Sequence, residues 1–165
     1  MSTVPISRAG YERLRKELDH FLRSERPKAI KSVEEARSHG DLTDNAEYQV
    51  ARQHQALVEA KIGELQAILA NCRMVDSPSC PPDKVVFGAS VLIEDLETGE
   101  RKRYELVGPY ESDVGRGLIS VTSPLGKGLI GRQEGDEVII ETPGGTRQMQ
   151  IIEIGVRGIE GKSSA

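Results

Sequence analysis

Tryptophan is missing from the 165 residues, and phenylalanine and tyrosine together make up only 4% of them. An aromatic-lined ligand pocket therefore has little to draw on: the second half of the chain offers only Phe87, Tyr104 and Tyr110. Cysteine is almost as scarce. Cys72 and Cys80 do not have the spacing of a zinc site, and two thiols without a disulfide framework point to a reducing cytoplasm. No apolar run approaches the length of a membrane span, and residues 1–10 lack the core of a signal peptide, so a cytoplasmic protein without membrane contact is expected. The three histidines, His20, His39 and His54, are scattered, and no nucleophile stands with a base. A strong excess of positive charge is lacking too. The formal net charge is −4, with 12 Lys/Arg against 11 Asp/Glu in residues 1–73 and 10 against 15 in residues 74–165. A chain that grips nucleic acid by itself is usually more basic, so docking on a protein partner fits better.

What the sequence does have is helical periodicity. Ser7 is placed to cap a helix in which Tyr11, Leu14, Leu18 and Phe21 step by three and four, the spacing of a coiled-coil seam. Pro27 interrupts the pattern and predicts a kink or register shift, after which Ile30, Val33 and Ala36 resume it. A second arm is unbroken: Tyr48, Ala51, Gln55, Val58, Ile62, Leu65, Leu69 and Cys72 alternate the two steps throughout. Two such arms predict a left-handed antiparallel pair, and a span of ~42 Å for residues 45–72.

Residues 75–84 carry three prolines and read as a linker. The period then changes to two. Val85-Val86-Phe87, residues 90–93, residues 102–107, Leu118-Ile119-Ser120-Val121, residues 138–141 and residues 148–154 are predicted strands, with turns at Thr98-Gly99 and Pro143-Gly144-Gly145. Ser123-Pro124 opens a short helix or turn. The chain is thus an α+β protein: a helical hairpin over 1–74, a linker over 75–84, a small, mostly antiparallel sheet domain over 85–156 and a tail over 157–165. Gly126-Lys127-Gly128-Leu129-Ile130-Gly131 has the glycine spacing of a dinucleotide loop but not its strand-turn-helix context, so it reads as packing and turn chemistry.

The bend between the arms, Gly40-Asp41-Leu42-Thr43-Asp44-Asn45-Ala46-Glu47-Tyr48, concentrates the remaining chemistry. Asp41 and Asp44 could ligate a hard divalent cation, but two carboxylates are too few to hold Mg²⁺ alone. The plainer reading makes Asp44 an N-cap with Glu47 completing a capping box, and Asp41 a solvated turn residue. Arg37 and Arg52, on the two arms near the bend, would contact phosphates or balance the carboxylates.

That bend, the segment Ser123-Pro124-Leu125-Gly126-Lys127-Gly128-Leu129-Ile130-Gly131 and Thr142-Pro143-Gly144-Gly145 together resemble the bacterial Gre transcript-cleavage factors, in the same order and spacing from Ile6 to about Ile154. The resemblance implies an antiparallel coiled-coil hairpin followed by an FKBP-like domain. It implies a monomer that binds bacterial RNA polymerase, passes its coiled coil through the secondary channel, and stimulates cleavage of the backtracked RNA 3′ end by the polymerase. The factor would not be an enzyme itself. Asp41 and Asp44 would help hold a Mg²⁺ ion only within the polymerase complex, with no cofactor bound stably. The second acidic residue in the family is usually Glu, where this chain has Asp44. Arg37 and Arg52 would contact RNA phosphates, and Ser123, Pro124, Gly128, Leu129, Ile130 and Gly131 would serve polymerase docking. The nearest alternative is a non-cleaving homologue that inhibits the polymerase from the same channel. An FKBP-type prolyl isomerase is disfavoured by the shortage of aromatics.

Overall fold

The computed structural model describes residues 3–40 and 45–156. Asp41, Asp44 and the expected tail over 157–165 lie outside the described residues. The contacts divide the chain into two units, one formed by Tyr11–Cys72 and the other by the described parts of Met1–Gly10 and Arg73–Ala165. Residues 3–10 thus group with the sheet and not with the arms.

The helical unit is built from one long interrupted helix and one continuous helix. Ser7 caps the first, its Oγ accepting the Gly10 N–H at 3.0 Å. Helix α1 (Arg8–His20) runs into a π-helical turn over Phe21–Glu25 and then into α2 (Arg26–Arg37). In that turn the Arg26 N–H bonds the Phe21 carbonyl, five residues back. Pro27 follows at once. Its ring has no N–H to give and would crowd the carbonyl four residues back, so the looser turn takes the strain. The expected register shift is thus met just ahead of the proline.

The seam continues across the turn. Leu14 is buried before the turn, whereas Ala29, Val33 and Ala36 are buried after it. Ile30, expected in the seam, is 40% exposed: the step back from Val33 is four residues, to Ala29, and not three. Helix α3 (Ala46–Asn71) is uninterrupted, and at 1.5 Å per residue it is ~39 Å long. None of its expected seam positions is exposed, and Val58, Ile62 and Leu65 are fully buried. Val58 and Ile62 cluster with Ala29, flanked by Leu18, Phe21 and Leu22. The arms are antiparallel. Lys61 pairs with Glu17, Glu59 with Arg26 and Asn45 with Ala36, so partners rise along one arm as they fall along the other.

Beside the main sheet, β1 (Val4–Ile6) and β2 (Cys72–Met74) form a two-stranded ladder, too short to show a period in the sequence. The main sheet holds β3 (Ala89–Asp95), β4 (Arg101–Val107), β5 (Leu118–Ser120), β6 (Glu137–Thr142) and β7 (Gly145–Val156) in the order β5-β4-β3-β7-β6. Every pairing is antiparallel except β4 with β5. Apolar residues on one face, among them Val91, Ile93, Leu106, Ile140, Ile151 and Ile154, make the core. Helix α4 (Pro124–Leu129) closes it with Leu129.

Two expectations change here. Val85-Val86-Phe87 precedes β3 instead of forming a strand. Val85 is buried, but its N–H bonds the Arg132 carbonyl and its carbonyl takes the Gly131 N–H, so it ties down the loop after α4. Residues 75–84 contain no helix or strand, yet they belong to the sheet unit: Val75 donates to the Ile6 carbonyl, and a Cβ on Gly88 (φ +85°) would run into Ser77. No helix among the described residues is long and apolar enough to cross a membrane.

Candidate functional site

At the described end of the hairpin, the Asn45 side chain bonds both arms. Asn45 is the N-cap of α3, and its Oδ1 accepts the Tyr48 N–H at 3.1 Å. Its Nδ2 donates to the Ala36 carbonyl of α2 at 2.7 Å. One amide therefore satisfies an orphan donor of the second helix and adds a second donor to the Ala36 carbonyl, which already takes the His39 N–H at 3.2 Å. This corrects the capping box expected from Asp44 and Glu47. With Asn45 as the cap, the third helical residue is Tyr48, and Glu47 stands one position too early to close a box. Asn caps about as well as Asp, so residue type alone does not choose between Asp44 and Asn45.

Tyr48 occupies a seam position, but its ring does more than fill space. The Arg37 guanidinium carbon lies 5.8 Å from the ring centroid and that of Arg52 lies 6.0 Å from it. Arg37 is the last residue of α2, whereas Arg52 is one turn beyond Tyr48 on α3, so residues from both arms meet at one ring. A hydrogen bond from Arg37, followed by the charges of Arg52 and Arg37, holds the Tyr48 phenol below its ordinary value against the opposing effect of desolvation. Among the described residues no ion pair joins either arginine to a carboxylate. Two sequence-selected cations thereby contact one ring, that of a residue read only as part of the seam. His39 and His54 line a separate shallow groove with Ala36, Ala46, Val50 and Ala51.

Asp41 and Asp44, the residues expected to share a metal, lie outside the described residues. Among the described residues no group of three or more His, Cys, Asp or Glu is placed to hold a metal ion.

The other expected contact segment follows β5. Ser123 caps α4, its Oγ accepting the Gly126 N–H at 3.1 Å, and Pro124 takes the first helical position. Gly126 is packed so closely that a Cβ would fall on the Ser120 carbonyl oxygen, and Gly128 faces Ile140. Gly131 (φ +83°) turns the chain out of the helix. Leu129 is 0% exposed and belongs to the core, so it cannot offer its side chain to a partner as expected; it supports the segment from beneath. Pro124, Lys127 and Ile130 remain at the surface.

Residues 4–74 match the family described as transcription elongation factor, N-terminal, and residues 80–155 match transcription elongation factor, GreA/GreB, C-term. The chain belongs to the GreA/GreB family of transcription elongation factors. It is 48% identical over 154 residues to the transcription elongation factor GreA of Syntrophobacter fumaroxidans, covering 93% of this chain and 99% of that one. Against the GreA of Thermodesulfovibrio yellowstonii the identity is 48% over 151 residues, covering 92% and 96%. Among solved structures, GreA factor homolog 1 (Gfh1) of Thermus thermophilus is 32% identical with a TM-score of 0.42, over 92% of this chain and 98% of that one. For this GreA/GreB-family chain, the sequence matches run through both arms, the bend and the sheet unit alike.

Proposed function

We propose that this protein binds bacterial RNA polymerase, reaches the active site through the secondary channel with the end of its hairpin, and stimulates endonucleolytic cleavage of backtracked nascent RNA. The observation that carries this reading is the 48% identity to a GreA across 93% of the chain, which spans bend and sheet unit together. On this reading the sheet unit, FKBP-like in fold, docks on the polymerase through the surface around Ser123, Pro124, Gly128, Ile130 and Gly131. The protein acts as a monomer in the cytoplasm and performs no catalysis by itself.

At the hairpin end, Asp41 and Asp44 add two carboxylates to a Mg²⁺ ion held mainly by the polymerase, a donor number suited to a shared ion and not to a private one. The ion would supply an activated water and charge stabilisation at the leaving oxygen. That Asn45 caps α3 supports the assignment, because the helix start does not need Asp44 for that bond. Arg37 and Arg52 take the phosphates of the RNA 3′ segment, and their charge favours a polyanion beside the acidic pair.

The test uses purified elongation complexes stalled in a backtracked state. Adding the protein should shorten the transcript from its 3′ end and restore elongation, in a Mg²⁺-dependent manner. Blocked synthesis without shortening would make the protein an inhibitor and overturn the reading.

A further inference from the structure

Two like charges drawn to one ring need a reason. Arg37 and Arg52 lie on different helices, and a guanidinium with a free rotamer would move away from its neighbour into water. Instead both guanidinium carbons lie about equally far from the Tyr48 centroid, at 5.8 and 6.0 Å, within the reach of a cation–π contact. The backbone beneath the ring is held as well. The Tyr48 N–H is fixed by the Asn45 cap, and the same Asn45 is bonded to Ala36, next to Arg37. The backbone that carries the ring is thus tied to the backbone that carries one of its cations.

We propose that Tyr48 is a positioning residue that holds the guanidinium groups of Arg37 and Arg52 side by side as a two-point cradle for a single phosphodiester of RNA. This rests on the transcript-cleavage reading for its ligand but not for its geometry. A phosphodiester presents two unbridged oxygens, and two guanidinium groups held around one ring can each donate to one of them. Without the ring, each arginine would have to lose its own rotamer freedom on binding. The lowered Tyr48 phenol agrees with this, because hydrogen bonding from Arg37 favours the phenolate.

The experiment measures cleavage in backtracked complexes with the full-length protein at saturating concentration, alongside ¹⁹F NMR of the same protein carrying fluorotyrosine. Tyr48→Leu should lower the cleavage rate roughly tenfold to a hundredfold, the scale of a misplaced binding group, and Tyr48→Phe, which keeps the ring, should lose less. In an Arg37→Ala/Arg52→Ala background, Tyr48→Leu should have no further effect, because its action passes through those side chains. Losses that multiply would overturn the proposal. Independently of activity, Arg37→Ala should move the Tyr48 titration upward while Tyr11, Tyr104 and Tyr110 stay put; a Tyr48 signal indifferent to Arg37 would also overturn it. If wild-type protein produces no cleavage, the RNA assignment falls with the transcript-cleavage reading, and the titration still decides whether the three side chains act together.

Discussion

Glu111 hydrogen-bonds back to Ser7, 104 residues earlier in the chain, accepting its backbone N–H at 3.0 Å and its hydroxyl as well. The same carboxylate takes the Gly108 N–H at 3.2 Å. Space around it is so limited that a Cβ on Gly10 would overlap the carboxylate, and one on Gly108 would meet the Pro5 carbonyl oxygen. Glu111→Ala strands two backbone donors in a part-buried setting. It should cost ~1–3 kcal/mol in urea unfolding of the intact protein, with Glu111→Gln losing less. An unchanged unfolding midpoint would show that the contact is incidental.

The root half of the hairpin depends on apolar packing. Leu65 is 1% exposed, so Leu65→Ala should remove ~2–5 kcal/mol. Leu57 on the same helix is 69% exposed, and Leu57→Ala should be nearly silent. Thermal unfolding followed by helical circular dichroism separates the two, and equal effects would contradict the seam.

Acid should weaken the arms in a defined way. The Arg26 guanidinium bonds both Glu59 oxygens at 2.8 Å, and that hydrogen bond holds the Glu59 carboxyl below its ordinary value. A depressed carboxyl stabilises the folded state above its unfolded value and loses that contribution as pH falls through its folded value. Arg26 is raised by the same bond, so the matching loss on the alkaline side lies beyond the ordinary arginine range. Glu59→Gln should therefore lower the melting temperature at neutral pH and become indistinguishable from wild type in strong acid. A difference that survives in acid would mean the contact is not ionic.

At the bend, capping and cleavage should separate cleanly. Asn45→Ala removes the cap and the bond to Ala36, and should cost ~1 kcal/mol or somewhat more in helix stability. Asp41→Asn and Asp44→Asn should leave unfolding unchanged but lower transcript cleavage steeply, with partial recovery at high Mg²⁺ by mass action. Asp44→Glu should keep or raise activity. Wild-type cleavage by both Asn variants at limiting Mg²⁺ would remove the metal-sharing assignment.

The second arm was legible residue by residue, because an uninterrupted heptad leaves only one face to bury. The first arm was legible except at Ile30: a helical seam alternates steps of three and four, and apolar residues stand at both 29 and 30, so the sequence does not choose which of them faces α3. Ladders of three residues, such as Val4–Ile6 with Cys72–Met74, are too short to show a period. Val85 reads as strand because it is apolar and β-branched, but its two backbone bonds go to a loop. Arg37 and Arg52 were visible as charges near a bend. That both reach one tyrosine depends on a distance across two helices, and no local pattern encodes it.

The π turn over Phe21–Glu25 makes the first arm one residue richer in sequence than its path along the partner requires. Insertions and deletions should therefore be unequal along this arm. Removing one residue from 21–25, together with Pro27→Ala, should heal the turn into ordinary helix and keep Leu14, Ala29, Val33 and Ala36 facing α3. The same single deletion placed between Ala29 and Ala36 would swing everything beyond it by about 100° and point Arg37 away from Tyr48. The arm thus contains its own slack, at one place, on the root side of the proline.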